Sequence, residues 1–211
     1  MEVNPRMLSE ITKRLSKNLS FKEKFIMTYR PYICPFHKLI DFVPENSKIL
    51  DVGCGSGLWL YLLWELKLIS QGLGIEIDEN KVKTALSLKK QNYNLDFKFY
   101  SGKDGFPCEH FDCVSLIDVI HHIPKDDQRS FIKKIAAINT ELIIFKDINP
   151  ASRTKAAMNS LHDLVLSQQK PKYCRIEDIS TWLKEEGFAT QEISRYDMLW
   201  YSHYYVIARR R

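Results

Sequence analysis

The stretch Ile49-Leu50-Asp51-Val52-Gly53-Cys54-Gly55-Ser56-Gly57 decides the fold, together with Glu76 at the end of the next apolar run. A short apolar strand runs into three alternating glycines, and a helical segment starts directly after them. That order makes a strand–turn–helix crevice suited to a nucleotide-like cofactor. Glycines are required because the turn is tight and the ligand must touch backbone, where a Cβ would intrude. Glu76 stands where a carboxylate can accept ribose hydroxyls, each charge-assisted hydrogen bond contributing about 1.5–3 kcal/mol.

Outward from this stretch, strands and helices alternate. Strands are expected over 48–52, 73–77, 97–100, 113–117 and 141–145. Helices are expected over about 57–68, over 79–91 behind an Asp78 N-cap, and from 124–127 onward, where Pro124 suits a first turn. A polar helix over 152–166 and a last helix over 176–186, closed by Gly187, precede a hairpin of strands near 189–196 and 202–208. The expected class is α/β: a three-layer sandwich around a mostly parallel seven-stranded sheet, with one antiparallel strand from the C-terminal hairpin. The helix over 57–68 is apolar all round, so its outer face needs a cover as well.

Ahead of this domain (46–211) lies a helical extension or lid (1–45). Leu8, Ile11, Leu15 and Leu19 form one stripe within 7–29, with Lys13, Arg14 and Lys17 off it. Three readings stay open for it: a helix packed on the domain, a lid over the substrate, or a surface for an anionic membrane or carrier. Tyr29-Arg30-Pro31-Tyr32, followed by Pro35 and Pro44, predicts a break in the helix and a passage over the cofactor mouth.

The chain has 211 residues, 45% of them hydrophobic, a net charge of +5 and a pI near 8.8. It fits one domain with a small extension, and its charge falls short of a dedicated nucleic-acid binder. Five cysteines with no C-x-x-C pair argue against a disulfide framework or a zinc site and for a reducing, cytoplasmic setting. Residues 1–20 lack the apolar segment of a signal peptide, and no apolar run reaches the roughly 18 residues of a membrane span.

The glycine spacing resembles motif I of the class I S-adenosylmethionine (SAM) methyltransferases: G-x-G-x-G after Asp51 and Val52, in place of the G-x-G-x-x-G of dinucleotide binders. The likeness runs from about Lys48 to the C-terminus. It implies SAM as cofactor, S-adenosylhomocysteine as product, and a cofactor site of Asp51, Gly53, Cys54, Gly55, Gly57, Glu76 and Ile77. It further implies Asp104 for the adenine amino group, although Ser101-Gly102-Lys103-Asp104 departs from the common Gly-Asp pair, and Asp118 near the methionine part. Asp118 can equally cap the following turn.

Ligands in open α/β sheets bind beyond the carboxyl ends of the strands. That rule selects His121 and His122 after strand four as candidate bases, with His162, beside Asp163, and His203 as further candidates. Family members often use a His at the 121–122 position structurally, and nothing in the sequence chooses. Lys146, Asp147 and Asn149 are expected after strand five, and Asp197, Trp200 and Tyr201 after strand six. Methyl transfer from a sulfonium is an in-line displacement that needs alignment and exclusion of water, not a metal. The sequence carries no H-x-x-x-H or H-E-x-x-H frame.

The Asn/Asp-Pro-Pro-Tyr of base and glutamine methyltransferases is absent, and Pro107-Cys108 does not match a cytosine C5 nucleophile. Lys146-Asp147-Ile148, Asn159-x-x-His162-Asp163 and the Tyr29–Tyr32 tetrad resemble small bacterial methyltransferases of lipid or polyketide-type biosynthesis. That likeness implies a small-molecule or lipid-like acceptor, carrier-bound in some cases, with Arg30, Tyr32, Lys146, Trp200 and Tyr201 on the acceptor side. The alternatives are an RNA- or protein-directed methyltransferase and a non-catalytic SAM-binding scaffold. Peripheral membrane contact fits the basic N-terminal helix.

Overall fold

The computed structural model describes residues 2–102, 105–149, 172–199 and 201–211. Seven strands form one mixed sheet in the order β3-β2-β1-β4-β5-β7-β6. They are β1 (Ser47–Val52), β2 (Ile69–Glu76), β3 (Leu95–Phe99), β4 (Phe111–Ile117), β5 (Thr140–Ile148), β6 (Phe188–Met198) and β7 (Tyr201–Arg210). Strand β7 runs antiparallel to both of its neighbours, as the hairpin required. The chain divides into two compact units, one of 1–105 and 111–115, the other of 106–110 and 116–211.

In the first unit β1 pairs with β2 and β2 with β3, all parallel, with Leu50 opposite Leu73 and Gly74 opposite Phe97. Helix α4 (Leu58–Glu65) follows β1, and its residues Leu58–Leu63 are all buried. The cover its outer face needs is supplied by α1 (Pro5–Leu15), together with Phe36 of the short helix α3 (Phe36–Leu39). The Phe36 and Trp59 rings stack with centroids 5.5 Å apart. Helix α4 is shorter than 57–68 because Lys67 turns left-handed (φ +59°) and ends it. Helix α5 (Glu79–Leu88) starts at the expected Asp78 N-cap, and its Ala85 carbonyl accepts the Tyr61 hydroxyl at 2.6 Å.

The segment 7–29 falls in two α-helices, and the stripe of Leu8, Ile11 and Leu15 belongs to the first. Asn4 caps α1, and a Ser20–Glu23 capping box, unread in the sequence, starts α2 (Phe21–Ile33). Helix α2 runs straight through Pro31, so the expected break at 29–32 is corrected. Pro31 sits in the last turn, where its missing N–H and ring clash cost only one helical bond. The real stop is Pro35, which holds Cys34 in extended backbone (φ −130°, ψ 127°). Helix α2 lies against α1, tied by the Ser9 hydroxyl donating to the Thr28 carbonyl.

In the second unit α6 (Lys125–Ala136) and α7 (Ile176–Glu185) pack together, and Gly187 turns out of α7 at φ +89°. Eight consecutive residues of β7, Tyr201–Ala208, are buried between β5 and β6. Arg210 ends the strand by donating to the Ala136, Ile138 and Thr140 carbonyls. Strand β5 runs to Ile148, so Lys146 and Asp147 lie inside the strand, not after it. Asp197 and Tyr201 likewise belong to β6 and β7. The expected helix over 152–166 falls outside the described residues. No helix among the described residues is long and apolar enough to cross a membrane.

Candidate active site

In the first unit glycines build the loop after β1, because the backbone turns against its natural hand three times. Gly53, Gly55 and Gly57 sit at φ +72°, +56° and +78°. The N–H groups of Gly53 and Cys54 donate to the Ile75 carbonyl at 2.8 and 3.1 Å, and Gly57 N–H donates to Cys54 at 2.9 Å. This folds the loop back over the end of β2. The three glycines are not equivalent. A Cβ on Gly57 would lie 2.5 Å from Phe97, so packing demands that glycine. A Cβ on Gly55 would meet nothing within 4 Å, so Gly55 faces open space. Gly74, behind the loop, leaves room for the Cys54 thiol, which a Cβ there would meet at 2.7 Å.

Glu76 holds this loop. One carboxylate oxygen accepts the Gly55 N–H at 2.8 Å, and the other accepts those of Ile77 and Asp78 at 2.8 and 3.0 Å. Three of its roughly four acceptor positions are thereby taken by backbone, leaving room for about one hydroxyl of a ligand. Asp51 is buried beneath and accepts the Ser115 hydroxyl at 2.7 Å. Burial pushes its carboxyl up to about 7, against the Ser115 hydrogen bond and helped by the Glu76 charge. Burial also pushes the Cys54 thiol far up, so it stays protonated and inert. Asp51, Gly53, Cys54, Gly55, Gly57, Glu76 and Ile77 therefore lie together where β1 and β2 end. Ser115, the partner of Asp51, was invisible in the sequence because it lies 64 residues away on another strand.

The second unit carries its own polar cluster. Asp118 sits at φ +59°, a strained position for a side chain, and its N–H donates to the Lys146 carbonyl at 2.9 Å. The Lys146 ammonium, its side chain 0% exposed, donates to Asp118 Oδ1 at 2.5 Å. His121 is buried with Nδ1 2.6 Å from Asp147 Oδ1, and Asp147 also accepts the N–H groups of Ile120 and Ile148. The pairing explains how two charged residues stand inside a buried strand. It also orients the His121 ring, because a neutral imidazole that donates from Nδ1 presents its lone pair at Nε2. His122 lies tilted by 46° against His121 with centroids 4.1 Å apart and is exposed.

One atom each of Asp118, His121 and Asp147 lies within 4.8 Å of the others, a trio that could hold a metal ion. Linear spacing did not reveal it, because Asp147 comes from a different element. In this fold the Lys146 ammonium already provides a cation at Asp118.

The other expected residues are dispersed or outside the described chain. Arg30 and Tyr32 are partly exposed on α2, Tyr32 tilted against Tyr29 at 5.9 Å. Tyr201 is buried and stacks on His203 at 5.8 Å. Asp104, His162 and Trp200 lie outside the described residues.

The profile of a family described as a methyltransferase domain matches residues 9–193. The ubiquinone biosynthesis O-methyltransferase of Bradyrhizobium diazoefficiens is 29% identical over 92 residues, 43% of this chain and 35% of that protein. The enzyme of the same description from Rhodopseudomonas palustris is 30% identical over 95 residues, 44% of this chain and 36% of that one. The chain thus spans about a third of the length of these curated relatives. The magnesium protoporphyrin IX methyltransferase of Synechocystis PCC 6803, solved with bound SAH, superposes with a TM-score of 0.69 at 16% identity, over 96% of this chain and 94% of that one. At that identity the superposition establishes the fold alone.

Proposed function

Because the chain belongs to the methyltransferase-domain family, we propose that it transfers a methyl group from SAM to a small-molecule or lipid-like acceptor. The observation that carries this reading is the cradle at Gly55: a left-handed glycine facing open space, with its N–H fixed by the Glu76 carboxylate. A nucleoside that donates one ribose hydroxyl fits that arrangement, because the acceptor position left on Glu76 adjoins backbone that no Cβ obstructs. When bound, SAM supplies a methyl group on a sulfonium that is already activated to leave.

The chain's own residues do the rest. The loop of Gly53, Cys54, Gly55 and Gly57 holds the cofactor through backbone, with Ile77 and Asp51 shaping its walls. Phe97 and Tyr61 pack behind Gly57 and keep the loop rigid, so little ordering is needed on binding. Residues 46–211 carry this machinery, and 1–45 form an N-terminal addition. For the acceptor's proton, His121 is the proposed base, since Asp147 orients its ring. His122 and His162 remain the other proposed bases. Arg30, Tyr32, Lys146, Trp200 and Tyr201 are proposed for acceptor recognition, with Asp104 and Asp118 proposed toward the cofactor. The small-molecule reading is supported by the two relatives described as ubiquinone biosynthesis O-methyltransferases. Five free cysteines fit a cytoplasmic setting.

Calorimetric titration with SAM and S-adenosylhomocysteine, with NAD as control, tests the reading. Micromolar binding of the first two and none of NAD is expected. Absence of SAM binding would remove the assignment.

A further inference from the structure

Helix α2 has two apolar faces. Met27 and Pro31 are buried on the side that meets α1. On the opposite side Phe21, Phe25, Tyr29 and Tyr32 recur at steps of four, four and three, within an arc of about 80°. Phe21 is 87% exposed, Phe25 60% and the neighbouring Ile26 40%. The Phe25 and Tyr29 rings stack within 5° of parallel, centroids 5.8 Å apart, and Tyr32 continues the row. Single exposed apolar residues are ordinary, whereas a row of aromatics along one helix marks an interaction surface.

Charge says what it meets. Lys22 and Lys24 fall on opposite flanks of the row. Helices α1 and α2 together, from Pro5 to Ile33, carry seven Lys and Arg against two Asp and Glu. Their net +5 equals that of the whole chain, so the remaining residues are neutral in sum. An aromatic row between lysines on a cationic helix pair is complementary to the boundary of an anionic bilayer, where rings enter below the headgroups and ammonium groups meet phosphate. The helix is also already built. Its capping box closes the N-terminus, and Glu23 accepts the Thr84 hydroxyl at 2.8 Å, anchoring α2 to α5. Binding therefore does not have to order the helix first.

We propose that the exposed face of α2, centred on Phe21 and Phe25 and flanked by Lys22 and Lys24, docks the protein peripherally on anionic lipid membranes. This holds independently of which acceptor is methylated.

The test is co-sedimentation of the full chain with vesicles of equal parts phosphatidylglycerol and phosphatidylcholine, against pure phosphatidylcholine. Binding to the mixed vesicles alone, weakened by salt, is expected. Phe21→Ser/Phe25→Ser should lower that binding about tenfold or more, and Lys22→Glu/Lys24→Glu should do the same through charge alone. Both pairs lie on the surface, so SAM affinity and melting temperature should stay at the wild-type values. Failure of the wild type to bind mixed vesicles would overturn the proposal, as would binding at the wild-type level by both double variants. So would a concentration-dependent dimer in sedimentation velocity that Phe21→Ser/Phe25→Ser abolishes while vesicle binding is unchanged.

Discussion

Replacing Glu76 separates two duties of one carboxylate. It accepts three backbone N–H groups, from Gly55, Ile77 and Asp78, at 2.8–3.0 Å. Each buried donor left without a partner costs about 1–3 kcal/mol, and water entering beside Gly55 offsets part of that. Glu76→Ala should therefore destabilise the fold by roughly 2–4 kcal/mol, which for a chain of this size lowers Tm by about 5–15 °C. Glu76→Gln keeps the shape and one acceptor oxygen. Its amide N–H₂ must face at least one backbone donor, so its cost should be roughly 1–2 kcal/mol. Both variants lose the charged hydrogen bond to a ribose hydroxyl, and SAM affinity should fall about tenfold or more in each. Differential scanning calorimetry gives the stability and isothermal titration the affinity. If Glu76→Ala melts like the wild type, the carboxylate does not organise the loop. If Glu76→Gln binds SAM at full affinity, the charge plays no part in recognition.

Gly55→Ala and Gly57→Ala should part company. The first should remain folded, at a cost of about 1–2 kcal/mol for the left-handed backbone, yet lose SAM binding; the second should collapse the loop by driving a methyl group into Phe97, seen as a much larger drop in urea midpoint. Asp51 titrates near 7 in the fold against an ordinary 3.8, so the folded state holds its proton where the unfolded state has lost it. Stability should fall as pH rises from about 4 to about 7, by up to a few kcal/mol, and Asp51→Asn should flatten that slope in urea titrations at pH 5 and pH 8 while keeping the Ser115 hydrogen bond. Lys146→Met should cost about 3–5 kcal/mol by stranding the Asp118 charge, and Asp118→Asn added to it should recover a large part of that loss; a harmless Lys146→Met would mean that the pair is solvated.

The order of elements and the glycine loop were legible in the sequence because both are local. A strand needs alternating or continuous apolar residues, a tight turn needs glycine, and a helix start needs a cap such as Asp78; each signal lies within a few residues of the structure it specifies. The all-apolar helix α4 even announced that something must cover it, and α1 does. Boundaries were less legible. Pro31 reads as a break only if its position relative to the helix end is ignored, and Lys67 shows no sign in sequence of turning left-handed.

What tertiary structure alone decided is the state of the charged groups. Glu76 reads as a ribose acceptor; only the turn of the loop makes it the partner of three backbone amides. Lys146 and Asp147 read as polar residues beyond the end of strand five, with Lys146 on the acceptor side. Folding places them inside β5, where burial is tolerable because Asp118 and His121 arrive from the chain after β4 to pair with them. Asp51 acquires its raised proton affinity from burial beside Glu76, 25 positions on in the chain. Solvent exposure and the distance between charges determine each of these properties, and neither quantity exists until the chain has folded. The local sequence determined where a nucleotide could be held; the packed structure determined which side chains are free to act there.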